Sequence, residues 1–339
     1  MAILEIERLS VHYVTSNGVA RAVDGASFVV EPGQIVGVVG ESGCGKTTLA
    51  RAIPRVMPNS ARVAGGRILF EGEDLLTLSA RRMNAHRWKK IAFIPQSAMN
   101  SLDPVYRVGR QMSEVLIERG GMDRRTARGR SAELFSMVGI EAGRLNDYPH
   151  QFSGGMRQRV AIALALALRP KLVIADEPVT ALDVVVQRQV LDVLRHLQAE
   201  LNLSVILVTH DISVVAYLCD AVVVMYAGQV VESGTCDDVL ARPDHPYTMG
   251  LCNAFPDLAR SQGRLVPIEG APPSLLDPPA GCRFAPRCPF VIERCEQSPP
   301  LAQTRPGHRA ACWRSGEAPA LRLRASDTDT WEGIGARVA

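Results

Sequence analysis

Gly40-Glu41-Ser42-Gly43-Cys44-Gly45-Lys46-Thr47-Thr48 decides the fold. The stretch fits G-x-x-x-x-G-K-[ST], the pattern of a loop that wraps a phosphate. Its glycines let the backbone curl until successive N–H groups point inward at an anion, and a helix opening near Lys46 adds the positive end of its dipole. In that setting Lys46 reaches the β- and γ-phosphates and the Thr47 hydroxyl holds Mg2+. The flanks agree with this reading. Gln34-Ile35-Val36-Gly37-Val38-Val39 reads as a buried strand and Thr48-Leu49-Ala50-Arg51-Ala52-Ile53 as a helix, which is the context in which the motif has physical meaning.

The chain of 339 residues, 47% of them hydrophobic, is long enough for two domains and a large core. A net charge of +3 is too small to point to nucleic acid. Two basic clusters, Arg81-Arg82 with Arg87, Lys89 and Lys90, and Arg124-Arg125 with Arg128 and Arg130, are explained by solvated helix faces. The longest apolar run, Val160 to Leu168, falls well short of the roughly 20 residues that span a bilayer. The N-terminus, Met1-Ala2-Ile3-Leu4-Glu5-Ile6-Glu7, alternates like a strand and carries acids early, unlike a signal peptide. The expectation is a chain that stays in the cytosol, where its eight cysteines do not form structural disulfides.

Along the chain the texture changes three times. Residues 1 to about 95 read as strands interrupted by the phosphate loop and its helix. Residues 97–158 are richer in Arg, Met and Glu, with helical spacing at Met112, Val115 and Leu116 and again at Leu134, Met137 and Val138, and read as a helical insertion. Strand–helix alternation then resumes with Lys171-Leu172-Val173-Ile174-Ala175, Val205-Ile206-Leu207-Val208 and Ala221-Val222-Val223-Val224-Met225. Such alternation implies an α/β fold with a mostly parallel sheet and helices on both faces. From residue 246 to 317 prolines and cysteines cluster, which reads as a separate small Cys-rich module, and 318–339 reads as a loose, flexible tail.

Asp176-Glu177 closes the apolar strand at 171–175. A strand-end Asp is the usual second Mg2+ contact in phosphate-loop enzymes, and Glu177 beside it is placed to orient or deprotonate a water. Phe152-Ser153-Gly154-Gly155-Met156-Arg157-Gln158 opens a second helix with a serine cap and two glycines, another N-terminus suited to phosphate.

On these residues the chain resembles the ATP-binding-cassette (ABC) ATPases, over residues 1–245. Their signature L-S-G-G-Q corresponds to Phe152-Ser153-Gly154-Gly155-Met156, with Met156 in place of the glutamine. The resemblance implies that Tyr13 stacks on adenine and that Gly40, Ser42, Gly43, Cys44, Gly45, Lys46, Thr47 and Thr48 bind nucleotide. It implies that Thr47, Gln96 and Asp176 serve Mg2+, and that Glu177, His210 and Gln96 are catalytic. Ser153, Gly154 and Gly155 would bind the ATP of a partner cassette, and Asp183 would lie in a loop contacting that partner. Taken alone, Tyr13 would pass for a core residue, His210 for a strand-end histidine, and Gln96 would carry nothing; in register they carry the family pattern. Cys44 sits at a variable loop position and reads as a small filler.

Cys282-x5-Cys288-x6-Cys295-x16-Cys312 offers four thiols. On spacing alone zinc and an iron–sulfur cluster are equally served. His308 is a further candidate ligand that reads more simply as a surface histidine. His245-Pro246-Tyr247-Thr248 followed by Gly281-Cys282-Arg283-Phe284-Ala285-Pro286-Arg287-Cys288-Pro289 resembles the C-terminal extension of oligopeptide and dipeptide importer ATPases. That resemblance implies a [4Fe–4S] cluster on Cys282, Cys288, Cys295 and Cys312, with Zn2+ as the alternative and a structural role for either.

The expected activity is ATP hydrolysis at the cytoplasmic face of the cell membrane, powering import of di- or oligopeptides. The implied partners are two transmembrane permease subunits, a second ABC ATPase subunit that makes a heterodimer, and an extracellular or periplasmic peptide-binding protein, with no nucleic acid. Nickel or opine uptake is the alternative within transport. A soluble cassette acting on ribosomes or DNA is the alternative outside it, and those usually carry two cassettes or a long coiled-coil insertion, which this chain lacks. A third alternative is an iron–sulfur redox module with incidental nucleotide binding.

Overall fold

The apolar runs of the sequence become the strands of a computed structural model that describes residues 1–98, 101–254 and 268–332. In chain order the first elements are β1 (Leu4–Thr15), β2 (Gly18–Val30), β3 (Ile35–Val39), α1 (Lys46–Ala52), β4 (Ala61–Phe70), β5 (Glu73–Asp74), α2 (Ala80–His86) and β6 (Ile91–Ile94). Next come α3 (Val108–Glu118), α4 (Arg124–Met137), α5 (Gly154–Ala165), β7 (Leu172–Asp176), α6 (Val184–Leu201), β8 (Ser204–Thr209) and α7 (Ile212–Leu218). The last are β9 (Ala221–Tyr226), β10 (Gln229–Thr235), α8 (Cys236–Ala241), α9 (Pro246–Asn253), β11 (Ala302–Arg305), β12 (His308–Ala310) and α10 (Ala318–Ala325). No helix among the described residues is long and apolar enough to cross a membrane. The chain forms two compact units. One comprises Met1–Ile3, Val30–Ile35 and Phe70–Val208; the other comprises Leu4–Val29, Val36–Leu69 and the chain from Thr209 onward.

In the first unit β8, β7 and β6 run parallel, with Leu172 opposite Ser204 and Asp176 opposite Val208 on one side, and Ile91 opposite Leu172 on the other. Every residue of β7 and β8 is buried, as a parallel sheet covered on both faces requires. Helix α6 buries Val190, Leu191, Leu194 and Leu197 along one stripe. Asp183 caps its start, and Asn202 ends it in the left-handed conformation with φ 50°, a standard stop. The expected helical insertion is present as α3 and α4. They bury Met112, Leu116 and Leu134, while Asp123 caps α4 by accepting the Arg125 and Thr126 N–H groups at 2.9 and 3.1 Å. Met99 and Asn100 of this expected segment lie outside the described residues.

In the second unit β3 and β9 are parallel, with Val36 opposite Ala221. From β9 the sheet turns antiparallel through β10, β12 and β11. It is therefore mixed, since β9 and β10 form a hairpin whose turn residues Ala227 and Gly228 have φ 46° and 87°, the positive values that a tight hairpin turn demands.

Two expectations change here. The region beyond 245 is joined to the phosphate-loop unit rather than set apart: β12 extends the sheet on β10, with Glu232 opposite Ala310. Tyr247, Phe284, Phe290, Leu321 and Trp331 share one core cluster with Val39, Val224 and Tyr226. Nor is 318–332 a loose tail. Helix α10 buries Ala318, Leu321 and Ala325, and Trp331 is 1% exposed with its indole N–H donated to the Ala325 carbonyl at 2.8 Å. A few large apolar side chains suffice to anchor a segment whose composition otherwise looks like solvent-exposed chain. The expected tail residues 333–339 lie outside the described residues.

Trp331→Ala removes the largest fully buried side chain of this core and leaves a cavity. It should lower unfolding free energy by about 3–5 kcal/mol, read as a shifted midpoint in urea unfolding.

Candidate functional site

The phosphate-loop pattern sits where β3 ends and α1 begins, in the second unit. Gly45 is the N-cap of α1 at φ 105°, and a Cβ placed on it would collide with the Ala22 carbonyl oxygen. Both the dihedral and the close approach require glycine there. Ser42 and Gly43 form the exposed tip, while Cys44, Gly45, Lys46 and Thr48 are buried and Thr47 is half-buried. The Lys46 ammonium, 5% exposed, folds back over the loop and donates to the Gly40 and Glu41 carbonyls at 2.7 and 2.9 Å. An arriving phosphate would offer it stronger, charged acceptors than these carbonyls. Burial pushes the Cys44 thiol up, against the opposing pull of Lys46, so Cys44 fills space as a thiol. Tyr13, on β1, has its hydroxyl 3.3 Å from Thr48 Oγ1, which places its ring beside the first turn of α1. His210 is exposed, directly after β8, and the next residue, Asp211, caps α7 by accepting the Ser213 N–H at 2.8 Å.

The first unit carries the carboxylates. Asp176 is fully buried at the end of β7. Glu177 follows at φ 49°, an unusual conformation for a glutamate and of the kind held in place at functional positions. Its N–H donates to the Val208 carbonyl at 2.8 Å. Its Oε2 accepts from Gln96 Nε2 at 2.7 Å and from Thr180 Oγ1 at 3.0 Å. Gln96, which means nothing as an isolated letter, is thus in direct contact with Glu177.

In the same unit Ser153 caps α5 and accepts the Met156 N–H at 3.3 Å. Gly155 has no room for a side chain, because a Cβ would strike Val186 Cγ1 on α6. Asp183 Oδ1 accepts the Val186 N–H at 3.0 Å, and beside it Val184 and Val185 are 80% and 68% exposed. Arg144 went unread in the sequence. It pairs with Asp147 at 2.8 Å, donates to the Gln151 carbonyl at 2.9 Å, lies 4.6 Å over the Phe152 ring, and touches Met156 Sδ at 3.4 Å. Met156 therefore belongs to a contact that braces the Ser-Gly-Gly turn. No periodicity or motif announces an arginine that acts through four scattered partners.

Cys282, Cys288, Cys295 and Cys312 line one small void. Burial pushes the Cys312 thiol up to about 12 and raises Cys282 and Cys288 as well. Among the described residues no three of these sulfurs lie within 4.8 Å of one another. A zinc tetrahedron with bonds of about 2.3 Å needs sulfurs about 3.8 Å apart, so the thiols do not form a ready zinc site. They are neighbours without being a preassembled ligand set.

His308 is not at the surface. The short β12 turns it inward, where it is fully buried. Arg305 Nη2 lies 3.0 Å from His308 Nδ1. A guanidinium only donates, so in the neutral ring Nδ1 accepts and Nε2 carries the proton toward Glu232 Oε1 at 2.7 Å. Glu232, Asp244 and His308 bring their ligand atoms together, yet Arg305 and Arg322 already face Asp244 at 3.3 Å each. The cluster is a buried ion-pair hub, and His308 belongs to it rather than to the cysteines.

The ABC transporter family model matches residues 23–180, and the model of the oligopeptide/dipeptide transporter C-terminal region matches residues 231–295. The chain is 47% identical over 320 residues to a probable peptide ABC transporter ATP-binding protein of Sinorhizobium fredii, covering 93% of this chain and 96% of that one. It is 44% identical over 317 residues to the oligopeptide transport ATP-binding protein OppD of Haemophilus influenzae, covering 93% and 98%. Among solved structures, the dimeric post-hydrolysis ATP-binding cassette MJ0796 bound to ADP and Pi superposes with a TM-score of 0.62 at 27% identity, covering 69% of this chain and 98% of that chain.

Gly45→Ala would force a methyl into the Ala22 carbonyl from a φ of 105°. The expected result is loss of at least tenfold in affinity for a fluorescent ATP analogue, equivalent to about 1.4 kcal/mol, measured by titration.

Proposed function

The chain belongs to the ABC transporter family, in its oligopeptide/dipeptide branch, and from that membership we propose that it is the ATP-hydrolysing subunit driving uptake of di- or oligopeptides. The observation that carries the reading is near-full-length similarity to peptide transport ATP-binding proteins, extending through the C-terminal region that marks the branch. Nickel and opine uptake, and a soluble cassette on ribosomes or DNA, have no comparable support among these relatives.

The roles follow from the chemistry of each residue. Lys46 leaves the Gly40 and Glu41 carbonyls for the β- and γ-phosphates, and Tyr13 offers its ring to adenine. Gly40, Ser42, Gly43, Cys44, Gly45 and Thr48 contribute the loop backbone. Thr47, Gln96 and Asp176 are the residues that would hold Mg2+; a hydroxyl, an amide carbonyl and a buried carboxylate are the hard oxygen donors that ion prefers. Bound there, Mg2+ would neutralise charge on the phosphates. Glu177, oriented by Gln96 and Thr180, polarises the attacking water, and His210 answers to the γ-phosphate. Ser153, Gly154 and Gly155 serve the nucleotide of a partner cassette, with Asp183 and the exposed Val184 and Val185 at that interface.

The partners are membrane permeases and a substrate-binding protein, and a sister ATPase makes the pair a heterodimer at the cytoplasmic face of the membrane. The same reading assigns a structural [4Fe–4S] cluster to Cys282, Cys288, Cys295 and Cys312. That assignment is carried by the likeness of the segment to the oligopeptide/dipeptide transporter C-terminal region, since the thiols are not preassembled as a ligand set, and no step of hydrolysis runs through it.

Glu177→Gln should keep ATP binding and lower peptide-stimulated turnover of the membrane complex by about 10²–10⁴-fold, the usual loss on removing a general base. Turnover near that of the unmodified complex would refute the role of Glu177, and turnover that ignores peptide would refute the transport reading. For the cysteines, anaerobically purified protein should contain iron and acid-labile sulfide in equal amounts, both lost in Cys288→Ala. Zinc alone, or no metal, refutes the cluster.

A further inference from the structure

The segment that holds the four cysteines also holds the phosphate loop. Arg287, immediately before Cys288, is 6% exposed. Its Nη1 pairs with Glu41 Oε2 at 2.8 Å and reaches the Tyr226 hydroxyl at 3.2 Å. Its Nε and Nη2 donate to the Glu269 and Ile268 carbonyls at 2.9 and 3.1 Å. Glu41 is the second residue of the phosphate loop. Its backbone N–H donates to the Tyr247 hydroxyl at 2.9 Å, and Tyr247 packs on Tyr226 and Phe284 with ring centroids 4.6 and 5.4 Å away. The Glu41 N–H and its carboxylate are therefore both taken by residues from beyond position 245, while its carbonyl accepts from Lys46 inside the loop.

A second hook lies one turn earlier. Arg283, immediately after Cys282, is 5% exposed. It pairs with Asp24 and donates to the Ala227 carbonyl. The next residue, Gly228, donates its N–H to the Cys44 carbonyl at 2.9 Å, in the middle of the phosphate loop. The tight turn between the two arginines is fixed by main-chain bonds at Cys282 and Cys295. The Cys282 N–H donates to the Cys295 carbonyl at 2.8 Å, and the Ala285 N–H to the Cys282 carbonyl at 3.0 Å. A buried guanidinium that loses its carboxylate is left uncompensated, so a shift of this turn is transmitted to Glu41 rather than absorbed.

We propose that Arg287 is a positioning residue of the phosphate loop, through which the four-cysteine segment sets the affinity of that loop for nucleotide. This rests on the ATP reading of the loop. Arg287 touches no substrate; it holds Glu41, and Glu41 sets the path of the backbone that must face the phosphates.

The test is the dissociation constant of a fluorescent Mg-ATP analogue for the full-length protein, measured beside the thermal midpoint. Arg287→Ala should weaken binding by roughly tenfold, the scale of one charge-assisted contact. Arg287→Lys, which keeps the charge but not the planar fork, should recover only a small part of that loss, and Tyr247→Phe should weaken binding by a smaller factor while keeping its packing. Trp331→Phe, which disturbs the same core without touching the loop, should lower the midpoint and leave the dissociation constant unchanged. Cys288→Ala should weaken binding in the unmodified background and add little to Arg287→Ala, because coupled residues are non-additive. The proposal is overturned by a folded Arg287→Ala protein with undiminished affinity, or by Trp331→Phe weakening binding as much as Arg287→Ala. If Arg287→Ala does not fold, Arg287→Lys and Tyr247→Phe both binding like the unmodified protein overturn it. Full additivity of Cys288→Ala removes the cysteines from the pathway. An unmodified protein that binds no nucleotide fails the ATP reading and this proposal together, an outcome distinct from a binding-competent protein indifferent to Arg287.

Discussion

A loop that turns its N–H groups toward an anion has to give up side chains where the backbone curls, and with them the means of holding itself in place. Gly45 can have no Cβ because the Ala22 carbonyl occupies that position, and the long side chain of Lys46 is folded onto the loop's own carbonyls. Rigidity then has to come from outside. In the second unit it comes from Gly228, which donates to Cys44, and from Tyr247 and Arg287, which hold Glu41. The hairpin between β9 and β10, the aromatic cluster around Tyr226 and the C-terminal segment can be understood as the support this one loop requires.

The first unit solves a different problem, keeping two adjacent carboxylates in unlike states of restraint. Asp176 ends a strand buried on both faces and is itself fully buried. Glu177 leaves the sheet in a left-handed conformation and is steered by Gln96 and Thr180. Neighbours along the chain thus acquire separate environments, which is what the proposed division of labour, a cation for one and a water for the other, requires. The strain of a glutamate at φ 49° is tolerable because the Val208 carbonyl takes its N–H and the two side-chain contacts fix its carboxylate.

What could be read in the sequence was what repeats or clusters locally. The strands at 35–39, 172–176 and 204–209 are short apolar runs, and the helices at 108–118 and 124–137 show their periodicity. The phosphate loop, Asp176-Glu177 and the Ser-Gly-Gly turn are contiguous. The residues that escaped act at long range. Arg287 and Glu41 are 246 positions apart, and nothing near either announces the other. Arg144 braces its turn through a carboxylate, a carbonyl, a ring and a sulfur, a set with no spacing rule. His308 lies on a strand of three residues, too short to show alternation, so its burial was invisible. Trp331 closes a segment rich in Arg, Asp and Thr, where averaged composition conceals one decisive side chain. The cysteines were visible as letters, but spacing did not show that their neighbours Arg283 and Arg287 would matter to the loop.

The choice of arginine at 287 needs a reason, because a buried ion pair is a poor source of stability. An apolar pair of similar volume often holds two segments together as well or better, and this core has aromatic surface to spare around Tyr226, Tyr247 and Phe284. Apolar packing, however, tolerates sliding and rotation. A planar guanidinium places its acceptors in fixed directions, and Arg287 uses that fork to tie Glu41, Tyr226, Ile268 and Glu269 to one another. What the charge adds is orientation rather than adhesion. A loop that works by the direction of its backbone N–H groups is sensitive to small rotations at its first residues. The arginine also sits beside a cysteine, on a turn held by main-chain bonds at Cys282 and Cys295, so the orientation of the loop is tied to a segment whose thiols can change chemically without a change in sequence.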